Sequence, residues 1–368
     1  MTNSTRTGGQ RLAFLDWTRG LAALIMLQGH VFHSFTAKEL RGDGPYVLSQ
    51  FIGGITPAVF LFLTGVTLGF LMDSTSRKGL SPWQRTWAAA RRSGYLLLLA
   101  FLFRLQMWSF SLGKSPWTDL FKVDILNCMG LGIIALSPLA IFSTRDRIRF
   151  GVVSGLFIAA AAPLVSTADW SWLHPFARAW FVPDPNYFAF FPWAAFIAFG
   201  LAAGSLLRVV EPAAMGRMME WWALFGLVLV VGARYFANLP WSIYPQSDFW
   251  LNSPALILIK TGVILLIAAY AWLWTTYVNP GWSFLRQLGT TSLLVYWVHT
   301  ELVYGSWFWR WKQALTVPQT LAAAAFIIVL MLGLSIARTG WKGGPSLPAL
   351  LRQRWIAWRE QPVPQAGD

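Results

Sequence analysis

Ten runs of about twenty apolar residues, at 14–35, 51–72, 87–108, 125–143, 149–167, 188–208, 219–237, 254–277, 287–308 and 317–337, constrain this chain more than any other feature. Coiled as helices at about 1.5 Å per residue, such runs match the roughly 30 Å hydrocarbon core of a bilayer. The expectation is an all-α polytopic membrane protein of about ten transmembrane helices. Only 12% of the residues are charged, against roughly 25% in an ordinary soluble domain, and 56% are hydrophobic. Residues 1–368 therefore read as a single integral-membrane domain. Its tail, from about residue 340, has room for one short interfacial helix at Ala349–Trp358.

The formal charge of +14 would suit nucleic acid, but Lys and Arg stand in short clusters between apolar runs, which is how membrane topology is encoded. No nucleic-acid partner is expected. With the N-terminus inside, nineteen basic residues fall on the cytoplasmic side and nine outside, which favours both termini in the cytoplasm. Arg6, Arg11, Arg19, Arg91, Arg92 and Arg208 are among the first group, as are Lys342, Arg352, Arg354 and Arg359 of the tail. The one cysteine, Cys128, lies in an apolar run beside Met129 and reads as packing.

The first apolar run is the least typical. Asp16, Arg19, His30 and Ser34 fall within about 60° of one another on a helix, with Ala23 and Leu27 filling the same stripe. Arg19 and His30 are then about 16 Å apart along the axis, half the hydrocarbon core, with Arg19 toward the cytoplasm. Ionisable groups at such depth are costly and are functional candidates by default. His30, an imidazole able to accept a proton near neutral pH, is the best candidate for a general base; the plainer alternative is a histidine tying two helices together. His33 reads as a polar end residue, and His174, before Pro175, as structural. No two histidines have supporting Cys, Asp or Glu at ligand spacing, so no metal is expected.

Ser292, Tyr296 and His299 share one helical face and read as a polar lining for a substrate, while Glu301 points away, placed to pair with Lys260 or a loop arginine. Arg104 and Asp124, near the outer ends of the third and fourth runs, are placed to hold an acceptor or each other. The second run combines a break at Pro57 with small residues at Gly65 and Gly69, a pattern for close helix packing. Irregular backbone there is tolerated only beside a cavity. The loops 168–187 and 238–250, rich in Trp and Pro, suit an interfacial aromatic belt and also a stacking surface for a sugar ring.

Leu15-Asp16-Trp-Thr-Arg19-Gly20, followed by ten residues and His30, resembles the Asp-x-x-Arg-Gly and Arg-x10-His signature of the transmembrane acyltransferases, which include acyltransferase family 3 and the heparan-alpha-glucosaminide N-acetyltransferase relatives. Thr56–Gly65, Val123–Gly130, Phe191–Gly200 and Leu288–His299 resemble the family's other landmarks in order. The paired arginines typical of family 3 on the third span are present only as Arg91-Arg92 and Arg104, and no histidine follows the first span in the loop where the heparan enzyme carries one. The resemblance implies a multi-pass enzyme, of a bacterial inner membrane, that takes an acetyl group from cytoplasmic acetyl-CoA and delivers it to a hydroxyl or amine of an extracytoplasmic glycan. His30 would be the catalytic histidine, with Asp16 and Arg19 beside it in the signature, and Arg19, Arg91 and Arg92 would hold the coenzyme. Oligomers are compatible with this reading. The rival is a transporter or flippase in which His30, His299, Glu301 and Lys260 relay protons or substrate.

Overall fold

A computed structural model describes residues 12–341, residues 43 and 112 excepted. Arg6, Arg11, the tail cations from Lys342 onward and the expected helix at 349–358 lie outside the described residues. The α-helices are α1 (Ala13–Phe35), α2 (Gly44–Gly53), α3 (Thr56–Arg77), α4 (Pro82–Phe110), α5 (Ile125–Leu136), α6 (Thr144–Thr167) and α7 (Pro175–Arg178). They continue as α8 (Phe190–Val209), α9 (Met215–Ala237), α10 (Pro254–Leu273), α11 (Phe284–Thr290), α12 (Ser292–Tyr304) and α13 (Val317–Trp341). Among the described residues no named strand occurs, only an isolated bridge between Thr36 and Leu315.

Caps and prolines set where the runs begin. Ser81 accepts from the Gln84 N–H while the Gln84 side chain accepts from the Ser81 N–H, and Pro82 opens α4 behind this reciprocal cap. Asp124 caps α5 by accepting from the N–H groups of Leu126 and Asn127. Among the described residues, eight helical stretches are long and apolar enough to cross a membrane, which makes the chain an all-α polytopic membrane protein. The two other expected spans are α1, 23 residues long, and the pair α11–α12, the stretches that carry Asp16, Arg19, His30, His299 and Glu301.

Several expected spans are not continuous α-helices. Residues 51–72 break between Gly53 and Thr56, where two glycines precede a proline that cannot donate to the preceding turn. Residues 125–143 leave α5 at Leu136 and tighten into a 3-10 turn over Ser137–Ile141, because Pro138 has no N–H to continue the ladder. Residues 287–308 divide at Thr291, whose φ of −123° and ψ of 20° leave the helical region.

Helix α1 is surrounded, packing against α2, α3, α10, α11, α12 and α13. Its approach to α11 depends on two glycines: a Cβ at Gly20 would collide with the Leu285 carbonyl, and one at Gly289 with the Asp16 carbonyl. The small face of α3 meets a matching one on α8, with Gly65 against the Ile197 carbonyl and Gly200 against that of Phe62. At one pole, basic residues far apart in sequence converge on a single carboxylate. Asp73 receives Arg208 at 2.8 Å, Arg77 at 2.9 Å and the Thr144 hydroxyl at 3.2 Å. Lys260 rests over the Trp193 ring at 5.1 Å, and Glu301 is met by the side chains of Trp307 and Gln106 and by the charge of Lys312, so among the described residues Glu301 pairs with neither of its expected partners, Lys260 or a loop arginine.

Candidate active site

A cavity of about 940 Å³ is lined from α1, α2, α3, α4, α5 and α12 and runs from the arginine pole toward the opposite one. At its first end stand Arg19, Arg92 and Thr67, with the Arg92 guanidinium donating to the Thr67 hydroxyl at 3.3 Å. Arg19 pairs with Asp16 at 3.1 Å, and Asp16 is buried. The middle is apolar, with Met26, Phe60, Leu63 and Leu96. At the far end stand His30, His33, Gln50, Tyr296 and Tyr304, with Pro185 and Asn186 of the loop before α8. Two of these helix breaks touch this space: Gly53, Gly54, Thr56 and Pro57 line it on one side, Ser292 and Leu293 on the other. Non-helical backbone at membrane depth is tolerated where it borders such a hollow.

The cavity follows a face of α1 rotated from the expected stripe. Ala23 and Leu27 are fully buried, in a cluster with Leu288, Val295 and Val303, and Ser34 donates to the Val303 carbonyl at 2.7 Å. That side of α1 seals against α11, α12 and α13. The open side carries Arg19, Met26, Gly29, His30 and His33, successive positions of an adjacent stripe.

The expected site residues divide into those that meet here and those that do not. Arg19, His30, Arg92, Ser292 and Tyr296 line the cavity, and Asp16 is joined to it through Arg19. Arg91 is exposed and lines no part of it, since one residue along a helix turns the side chain by about 100°. His299 does not line it either. It is 0% exposed and sits behind His30, its Nε2 2.9 Å from His30 Nδ1 and its Nδ1 2.7 Å from the Val295 carbonyl, the two rings near parallel and edge to edge with centroids 5.1 Å apart. Arg104 and Asp124 hold each other at 3.2 Å, outside the cavity lining.

Sequence reasoning missed Tyr304. Its hydroxyl lies 3.1 Å from His33 Nδ1 and its ring meets that of His30 edge-on at 5.3 Å. Tyr304 is five residues beyond His299, about 140° away on the helix, so a search of one face excludes it. The missed pairing of His30 with His299 spans 269 positions and leaves no local signal.

A second hollow, of about 540 Å³, lies among the loops at the far pole. Trp170, Arg178, Asp184 and Tyr187 are in its wall, and its segment 183–187 alternates with Pro185 and Asn186 of the main cavity, so one short loop borders both. Asp169, also in this wall, receives the backbone N–H and the hydroxyl of Ser171, which hold its carboxyl below the usual carboxylate range.

An all-helical bundle with cations at one end of an internal cavity and a histidine pair near the other has the form of a polytopic membrane enzyme acting within its own helices. A family model described as heparan-alpha-glucosaminide N-acetyltransferase, catalytic, matches residues 11–243, and the chain belongs to that family of membrane acetyltransferases. A comparison with curated proteins finds no match.

Proposed function

We propose that the chain transfers an acetyl group from cytoplasmic acetyl-CoA to a hydroxyl or amine of an extracytoplasmic sugar, with the whole chain working as one membrane domain. The observation that carries this reading is that Arg19 and Arg92 line the same cavity as His30. Guanidinium groups suit the coenzyme's phosphates, which they meet as charge-assisted hydrogen bonds. The pantetheine arm then lies along the apolar middle, past Met26 and Leu63, and brings the thioester to His30. His30 takes the proton of the acceptor as its oxygen or nitrogen attacks the thioester carbonyl. The C–S bond then breaks and the proton passes to the departing thiolate.

The family description names an alpha-glucosaminide, whose amine fits this scheme. The loop hollow beside the cavity, with Trp170 and Tyr187 to stack on a ring and Asp184 and Arg178 to bond hydroxyls, supports a sugar acceptor here. The positive pole around Asp73 supports a cytoplasmic donor side.

Purified protein in sealed vesicles tests this reading. It should bind acetyl-CoA, and transfer to an added glucosamine acceptor should require acetyl-CoA on the side from which a cysteine at position 76, in a Cys128→Ser background, reacts with an impermeant thiol reagent. Vesicles that move solute but never bind acetyl-CoA would replace the enzyme by a carrier.

A further inference from the structure

We infer that His299 is a positioning residue that fixes which nitrogen of His30 is basic. The inference starts at the Val295 carbonyl, which can only accept. The nitrogen 2.7 Å from it, Nδ1 of His299, therefore carries the proton. A neutral imidazole has one N–H, so Nε2 of His299 presents a lone pair, and it lies 2.9 Å from Nδ1 of His30. That nitrogen of His30 must in turn be the donor. The lone pair of His30 is thereby assigned to Nε2, on a ring that lines the cavity, while Nδ1 is turned away into the protein.

The opposite arrangement would put protons on both nitrogens of His299. It would then be a cation at a position 0% exposed, bonded to a backbone carbonyl and an imidazole, with no carboxylate paired to it among the described residues. The two ring planes are 18° from parallel, so the N–H of one ring and the lone pair of the other meet close to a common plane. The chain orders this geometry locally. His299 is one turn beyond Val295 on α12, and His30 reaches it across the sealed face where Ser34 bonds the Val303 carbonyl one turn further along α12. Residue 299 lies beyond the segment that the family model matches, residues 11–243.

The inference rests on His30 as the base of the proposed transfer, but its first test does not. The chain has four histidines, so the full-length protein labelled with ¹⁵N-histidine in lipid gives few imidazole signals, assigned by single substitutions. His30 should be found in the Nδ1–H form, the minority tautomer of free histidine, and should lose that preference in His299→Leu. In His299→Gln the amide oxygen can still accept from His30 and the NH₂ can still donate to Val295, so the tautomer should persist. Acetyl transfer should follow: kcat falls about 10²-fold or more in the Leu variant, the low end for loss of a general base, and within several-fold in the Gln variant, with the KM for acetyl-CoA unchanged in both. An Nε2–H tautomer in the wild-type protein overturns the assignment. So does a folded Gln variant as slow as the Leu one, because glutamine orients but cannot take up a proton. If the Leu variant does not fold, the wild-type tautomer and the Gln variant decide. A wild-type protein with the Nδ1–H tautomer and no acetyl transfer refutes the enzyme reading and leaves the positioning role standing.

Discussion

The two ends of the cavity solve the problem of polar chemistry inside a membrane in different ways. At the arginine end the groups are charged, and they lie in the N-terminal parts of their helices: Arg92 in the third turn of α4, and Arg19 in the second turn of α1 beside Asp16. There a guanidinium keeps its charge because it is basic far above neutral pH, and Arg19 has the Asp16 carboxylate beside it. At the histidine end, 11 residues further along α1, the side-chain bonds of His30, His299, His33 and Tyr304 join groups that can be neutral, while the cations Arg41 and Lys312 bond the backbone carbonyls of His33 and Tyr304. A neutral relay closed on a backbone carbonyl costs far less at that depth than a charge, which needs several partners to offset its lost hydration. Charge therefore recognises at one end, and a neutral lone pair reacts at the other.

The largest effect expected from this division is that of His30→Ala. It should lower the rate of acetyl transfer by about 10²–10⁴-fold, the range for removing a general base. Acetyl-CoA affinity, measured by calorimetry on the same protein, should stay near wild type, because Arg19 and His30 are separated by about 16 Å along the helix. A variant that loses both together would merge the two ends into one site.

An intermediate effect is expected from Arg92→Ala. Arg92 lines the cavity and bonds the Thr67 hydroxyl, so its removal leaves no buried carboxylate without a partner. A charge-assisted hydrogen bond contributes about 1.5–3 kcal/mol, and at the lower figure acetyl-CoA affinity should fall roughly tenfold. The maximal rate at saturating donor should not change. Arg91→Ala is the control: its side chain does not line the cavity, and it should leave the affinity unaltered. Equal losses from both substitutions would indicate general charge attraction rather than a binding contact.

The same division explains what could be read from the sequence. The spans follow from hydrophobic run length, which depends on the chain alone, and Asp16, Arg19 and His30 stand out because a charged or titratable residue in an apolar run is locally anomalous. The small face of α3 was legible too, although its partner, Gly200 of α8, was not. What escaped depends on rotation and on distant pairing. Helical periodicity placed the polar stripe of α1 toward Ala23 and Leu27, but their burial against α11, α12 and α13 moved the open face to Met26 and Gly29. The stripe arithmetic for α12 grouped His299 with Tyr296 and Ser292, yet only the latter two reach the cavity. His299 is taken up by His30, a partner on another helix that no local pattern specifies.

The smallest effect should come from Tyr304→Phe, and it tests how far the histidine end extends. Phenylalanine keeps the ring that meets His30 at 5.3 Å and removes only the hydroxyl near His33. A neutral hydrogen bond contributes about 0.5–1.5 kcal/mol, so transfer should slow by roughly two- to tenfold, with acetyl-CoA affinity unaffected. His33→Gln should have an effect of similar size. The double variant should be no worse than either alone if the two groups act only through their mutual bond, since coupled residues are not additive. A loss in Tyr304→Phe as large as that in His30→Ala would put the phenol among the reacting groups. In that case the proton at this end would be handled by His30 and Tyr304 together, and the contrast between a charged recognition end and a single neutral base would have to be redrawn.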